Sequence, residues 1–299
     1  MFTNLFGNYL IRKGVIDTEQ LKQIKTSQAR TRAKLGLIAQ AEKLITKEQA
    51  DAINEKQATL DCRFGDIAVE MELMTRDQLK RLLGMQSSPY ITFTQAVSDL
   101  GLMSVEEVDK NLSDYQKEMG YTSMDMDAIK SGDIDRIMPL LLPEELPWGA
   151  AEHVVAAIRT INRLVCDDIY VKSSVISKSY DAAGYAMQNI HGDFESSTAI
   201  AGEEEGMLAV ASGFAKEEFK KLDEEALDSV AEFVNIIDGL FATAISLDQV
   251  DVSLSPPEMS AKEANLRSDM ICVVSMELCE KPVDLLISVG SQFTINNNN

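Results

Sequence analysis

The chain is short of histidine and of positive charge, and each shortage narrows what it can be. Two histidines, His153 and His191, and four cysteines, Cys62, Cys166, Cys272 and Cys279, occur in 299 residues. No CxxC pair is present, so no metal site is expected. The cysteines are expected as four reduced thiols in a cytoplasmic protein. The start, MFTNLFGNYLIRKG, is amphipathic and has no apolar core followed by a cleavage site, so no signal peptide is read. No apolar run has the length to cross a bilayer, and membrane insertion is not expected. Lys and Arg number 28 against 48 Asp and Glu, a net charge of −20. That field repels nucleic-acid phosphates and an anionic membrane surface alike. What remains is a globular composition, 45% apolar and 25% charged, in a chain long enough for two domains.

Residues 1–118 repeat every 29 residues. Glycines stand at Gly7, Gly36 and Gly65, with Thr94 in the fourth slot. Gly14, Lys43, Glu72 and Gly101 follow seven residues later, and Gln28, Gln57 and Gln86 close three of the units. Asp17, Thr46, Thr75 and Ser104 each precede Gln20, Gln49, Gln78 or Glu107 by three residues. This is the spacing of a capping box, in which two side chains satisfy backbone N–H groups that a helix start leaves unpaired. Each unit therefore reads as a short helix, a tight turn and a longer capped helix. Lys43 and Glu72 resist the left-handed turn that glycine accepts, so their turns are expected to be longer. Such a unit cannot bury its apolar face alone, and the four are expected to pack as a helical array. Arg63-Phe64-Gly65, and more distantly Lys34-Leu35-Gly36, resemble the Arg-Leu-Gly turn of the N-terminal domain of type II secretion and pilus ATPases, the MshEN form. Some of those domains bind cyclic di-GMP. The resemblance would make Arg63 and Gly65 nucleotide-contacting residues; a protein-interaction array is the other reading, and the preferred one.

Residues 119–148 combine Asp and Gly clusters with Pro139, Pro143 and Pro147 and read as an acidic, Pro-containing linker with room for one short helix. Over 149–295 the pattern changes. Val154, Val155, Ile158, Ile161 and Leu164 fall at helical spacing. Strands are read at 185–190 and 196–200, with 202–206 as a hairpin turn and 207–211 as the returning strand. Further strands are read at 250–254, 270–278 and 283–289. The whole is expected to be multidomain: an all-α repeat array, then an α+β domain with two long helices on a mostly antiparallel sheet. The asparagine tail, 296–299, reads as disordered.

Between those strands lies Asp-Ser-Val-Ala-Glu-Phe-Val-Asn-Ile-Ile-Asp-Gly, residues 228–239. Val230, Phe233, Val234, Ile237, Leu240, Phe241 and Ala244 make one apolar face of a helix. At about 100° per residue, Asp228, Glu232, Asn235 and Gly239 share the opposite face within roughly 60°. On spacing alone an acid and an amide on an outer face mean contact with solvent. Asn and Gly each cost about 0.5–1 kcal/mol against Ala in mid-helix, which singles the face out.

Asp228, Glu232 and Asn235, with Pro256-Pro257 after 20 intervening residues, resemble the signature of the CheC/CheX/FliY chemotaxis phosphatases. The element order over 149–291 is similar to the CheX fold. The resemblance implies hydrolysis of the aspartyl phosphate on CheY-like receiver domains of response regulators. It makes Asn235 the residue that orients the attacking water and Glu232 the one that docks on the receiver's active-site lysine. Gly239 would leave room for the partner's backbone, and Asp228 would add hydrogen-bond or electrostatic support. No cofactor of the protein's own is implied, Mg²⁺ coming with the receiver. Such proteins pair as homodimers through their sheets, and 283–289 is the candidate edge. Two other readings stay open: a non-catalytic receiver-binding scaffold on the same fold, and a cyclic di-GMP effector acting through the repeats.

Overall fold

The computed structural model describes residues 1–296 except 31 and 61. The chain divides into two compact units, Met1–Asp133 and Ile134–Asn299.

The first unit is helical among its described residues. Four pairs run α1 (Phe2–Arg12) and α2 (Thr18–Gln28), α3 (Leu35–Ala41) and α4 (Lys47–Thr59), α5 (Phe64–Glu70) and α6 (Arg76–Gly84), α7 (Pro89–Asp99) and α8 (Val105–Met119). Capping boxes close the N-termini of α2, α4, α6 and α8 at Asp17, Thr46, Thr75 and Ser104, each reciprocated by the residue three further on. Lys43 and Glu72 do not lengthen their turns. Both adopt φ 58°, beside 69° at Gly14 and 67° at Gly101. Each non-glycine residue there costs about 1–2 kcal/mol, which the helices packed on either side outweigh. The pairs do not stack only on their sequence neighbours: α1 and α2 pack on α7, while α3 touches α4 through α8. Phe2, Phe6, Phe93 and Tyr115 form the aromatic centre of this unit.

Residues 119–148, expected as a linker, hold two helices, α9 (Ser123–Ser131) and α10 (Ile134–Leu141). A further capping box at Thr122 starts α9, and Gly132 at φ 71° ends it. The acids read as linker charge include Asp125, which is the reciprocal residue of that box. Of the two helices, α9 falls in the first unit and α10 in the second.

In the second unit α11 (Ala150–Leu164) leads to β1 (Ile169–Ala182), β2 (Gly184–Gly192) and β3 (Ser196–Gly202). Then come α12 (Glu204–Ala215), α13 (Glu224–Ser246), β4 (Val252–Leu254), β5 (Glu258–Ser260), β6 (Ala264–Leu278), β7 (Lys281–Val289) and β8 (Thr294–Asn296). The sheet is antiparallel in the order β1-β6-β7-β3-β2-β4, with β5 on β2 and β8 on β6. Asn296 of the expected disordered tail pairs in β8; 297–299 lie outside the described residues.

Several expectations are corrected here. Residues 202–206 are not a hairpin turn and 207–211 are not a strand: Gly202 ends β3, Glu203 caps α12, and 204–211 form the start of that helix. Met207, Val210 and Ala211 share its buried face at helical spacing, and Glu204 and Glu205 favour the positive end of the helix dipole. Gly206 lets α12 press against β7, where an added Cβ would strike the carbonyl of Pro282. With α12 included, α11, α12 and α13 pack on the sheet where two long helices were expected, and α10 lies beside β1. β1 escaped the sequence pattern because much of its length, Lys172, Ser173, Lys178 and Ser179 included, is exposed at the end of the sheet. β7 is no edge. It is hydrogen-bonded to both β6 and β3, and Leu285, Leu286 and Ile287 are buried.

Cys166 and Cys279, expected as free thiols, are joined as a disulfide between the end of α11 and the β6–β7 turn. The reduced-thiol argument for a cytoplasmic location thereby loses two of its four residues. Cys62 is free and exposed; Cys272 is free and buried, and burial pushes its thiol up to about 11.

Candidate functional site

Helix α13 begins at Asp223, whose carboxylate accepts the Ala226 N–H at 3.2 Å. Glu224 and Glu225 occupy its first turn, where acids complement the dipole. Its apolar face buries Val230, Phe233, Val234, Ile237 and Phe241 against β2, β3, α11 and α12. Leu240 and Ala244, expected on that face, are exposed. By length and composition this 23-residue helix is apolar enough to cross a membrane. In this fold part of that apolar surface is spent on the sheet and on α11 and α12.

The outer face is as the spacing predicts in part. Asp228 and Glu232 are exposed, and Gly239 is half-exposed with no atom within 4 Å of where a Cβ would stand. Asn235 is half-buried. Its Oδ1 turns inward and accepts from Gln188 Nε2 at 2.9 Å. The face thus offers a solvated carboxylate, an anchored amide one turn later and a notch one turn after that. It can pair with a cation, hydrogen-bond a water or a phosphoryl oxygen, and admit a partner's backbone. It holds no nucleophile or histidine.

Beneath it lies a polar cluster that the sequence reading missed. Asp238 and His153 are fully buried. Asp238 Oδ1 accepts from Thr198 Oγ1 at 2.6 Å and faces His153 Nε2 at 3.2 Å. His153 Nδ1 meets Ser196 Oγ at 3.0 Å, and that hydroxyl donates to the Ser288 carbonyl at 2.8 Å. The imidazole stacks on Phe241, 3.9 Å between centroids. A signal existed: at about 100° per residue Asp238 falls within about 60° of both Val234 and Phe241, an acid on the apolar face. Gln188, buried in β2, had no such signal.

In the first unit Arg63 is exposed and forms the N-cap of α5. Gly65 is buried, and an added Cβ would lie 2.6 Å from Leu79 and 3.2 Å from Leu35. Its lack of a side chain serves the approach of α6 to α5. Arg63 and Gly65 belong to the first unit and the α13 face to the second.

Residues 185–272 match the family model of the chemotaxis phosphatase CheX. The match runs from β2 through α12 and α13 into β6, and so contains the whole site face. No curated protein matches the chain. Solved structures similar to part of the chain include the chemotaxis protein CheX from Vibrio vulnificus, at 16% identity over 46% of this chain and 95% of that one, TM-score 0.41. A CheC-like superfamily protein from Shewanella sp. PV-4 is similar at 14% identity over 46% and 94%, TM-score 0.40. The CheX–CheY–BeF3–Mg²⁺ complex from Borrelia burgdorferi is similar at 20% identity over 46% and 94%, TM-score 0.34. Within the second unit, residues 185–272 are thus similar to the CheX family.

Proposed function

We propose that this CheX-like domain accelerates hydrolysis of the aspartyl phosphate on a receiver domain, with Asn235 and Glu232 as its working side chains. The observation that carries the reading is the outer face of α13: Glu232 free in solvent, the Asn235 amide reachable beside it, and an open notch at Gly239. An acyl phosphate is already activated, and its loose transition state asks chiefly for positioning and charge. The receiver brings its own aspartate, lysine and Mg²⁺, so the domain needs no cofactor of its own. Glu232 docks by a charge-assisted contact with the receiver's lysine. The Asn235 amide, donor and acceptor in one group, holds the water in line with the P–O bond. Asp228, one turn earlier, adds negative field to the same face.

The test is phosphate release from phosphorylated receiver domains with and without the full-length protein. Acceleration supports the reading; saturable binding with no acceleration makes the domain a non-catalytic adaptor instead. Glu232→Ala should raise the receiver concentration for half-maximal rate about tenfold, the worth of one charged hydrogen bond, and leave the maximal rate nearly unchanged. Gly239→Leu should do the same by filling the notch, without loss of thermal stability, since the added side chain meets open space and Leu is the better helix former.

A homodimer through the sheet belongs to the same proposal, with β1 in place of the excluded β7. β1 ends the strand order and exposes Val175 and Ile176, the kind of edge another copy extends. Val175→Lys should shift sedimentation from dimer to monomer; a monomeric wild type would remove the proposal.

A further inference from the structure

We infer that Gln188 is a positioning residue that sets which way the Asn235 amide points. An asparagine amide turned by 180° fills the same space with donor and acceptor exchanged. Something must choose between the two orientations if the amide is to meet substrate one way round. Gln188 sits in β2, opposite Thr198 of β3, and is 2% exposed. Its Nε2 lies 2.7 Å from the carbonyl oxygen of Ser255. A backbone carbonyl only accepts, so the NH₂ end of Gln188 must face it. The second proton of that NH₂ goes to Asn235 Oδ1 at 2.9 Å. Both protons are used, and the Asn235 oxygen is held inward. Its NH₂ is left to face outward, with no protein partner among the described residues.

The Ser255 carbonyl is itself held. Ser255 N–H donates to the Asn189 carbonyl at 2.9 Å, and Asn189 N–H donates to Ser255 Oγ at 3.2 Å. Pro256-Pro257 follow at once. A proline restricts the residue before it to extended backbone and fixes its own φ, so the carbonyl cannot swing away from Gln188. This gives the Pro after Asn235 a physical role: it braces the acceptor that orients Gln188, which orients Asn235. A second observation agrees. Gln188 Oε1 is buried with no hydrogen-bond partner among the described residues. An orphaned polar atom costs about 1–3 kcal/mol, which an apolar side chain of the same length would avoid. The fold keeps the glutamine for its NH₂.

The role in turnover rests on the phosphatase reading; the orientation does not. Gln188→Met keeps length and volume without the donor, and Gln188→Leu is a second apolar replacement should the first fold poorly. In receiver dephosphorylation by the full-length protein, Gln188→Met should lower the maximal rate about 10- to 100-fold with the half-saturating receiver concentration unchanged. Combined with Asn235→Ala it should add nothing. A wild-type rate in Gln188→Met, or a further loss in the double variant, overturns the role. If Asn235→Ala itself keeps the wild-type rate, the phosphatase reading falls. The orientation is then decided by side-chain NMR of the wild type: the Gln188 NH₂ protons should exchange slowly with water and those of Asn235 fast. The reverse pattern overturns the inference.

Discussion

Asn235→Ala will abolish most of the stimulated dephosphorylation, a loss of about 10²- to 10³-fold in maximal rate, while receiver affinity stays within about threefold of wild type. The magnitude is that of removing one preorganised hydrogen-bonding group from a charge-developing centre. The affinity is spared because Glu232 and the Gly239 notch, exposed on the same helix face, still meet the partner. Folding is spared as well. Asn235 is half-buried, its one side-chain tie among the described residues is the bond from Gln188, and alanine is the better helix former by about 0.5 kcal/mol or more. The measurement is single-turnover phosphate release at saturating protein, with a parallel binding titration. Equal rates for wild type and variant, on a receiver that wild type accelerates, would remove Asn235 from the chemistry. A matched loss of rate and affinity would instead make it a docking residue.

Asp238→Ala will cost about 3–5 kcal/mol of stability, since two fully buried groups, Thr198 and His153, each lose a hydrogen-bond partner at about 1–3 kcal/mol apiece. Asp238 Oδ1 is shared by Thr198 and His153, and His153 continues through Ser196 to the Ser288 carbonyl. The cluster joins α11, α13, β3 and β7, none of them adjacent in sequence except through long connections. Without the carboxylate, His153 keeps its Phe241 stack but loses its acidic partner in the cluster at a fully buried position, where an unpaired polar group is costly. Set against a total of about 5–15 kcal/mol for a domain, such a loss lowers the unfolding midpoint by about 10 °C. Asp238→Asn, which keeps the shape and an oxygen for Thr198, should cost less than the alanine. Denaturant unfolding monitored by circular dichroism reads both. A change below about 1 kcal/mol for the alanine would mean that the cluster does not hold α13 to the sheet.

The two variants act on neighbouring turns of one helix and should separate cleanly. One removes function and spares the fold; the other loosens the fold from which function is presented. Together they distinguish a face that acts from a face that is merely well supported.

Much of this was legible from residues in local order. The spacing of Val154, Ile158 and Ile161 placed α11, four Ser/Thr/Asp caps placed the long helices of the first unit, and the 228–239 pattern put Glu232 and Gly239 on the open side of α13. Those features depend on neighbours within about four residues, whose relation a helix imposes wherever it lies. Where local patterns competed, reading failed. Gly202–Gly206 looked like a hairpin because glycines and glutamates suit turns, while the helical spacing of Met207, Val210 and Ala211 was too short to outweigh it. β1 carried too little apolar alternation, since the strand at the end of the sheet buries only part of its length.

Local order in the chain set which residues share a helix face and where helices begin, because covalent geometry governs both. Only the tertiary structure decided that β7 lies inside the sheet, that Cys166 meets Cys279 across 113 residues, and that Asp238 finds His153 across 85. It also decided that Asn235 shows its NH₂ rather than its oxygen, through Gln188, 47 residues away. The reason is common to all four. Hydrogen-bond and disulfide partners so distant in the chain are chosen by the packing of whole elements, and no period within a segment encodes which element will arrive opposite.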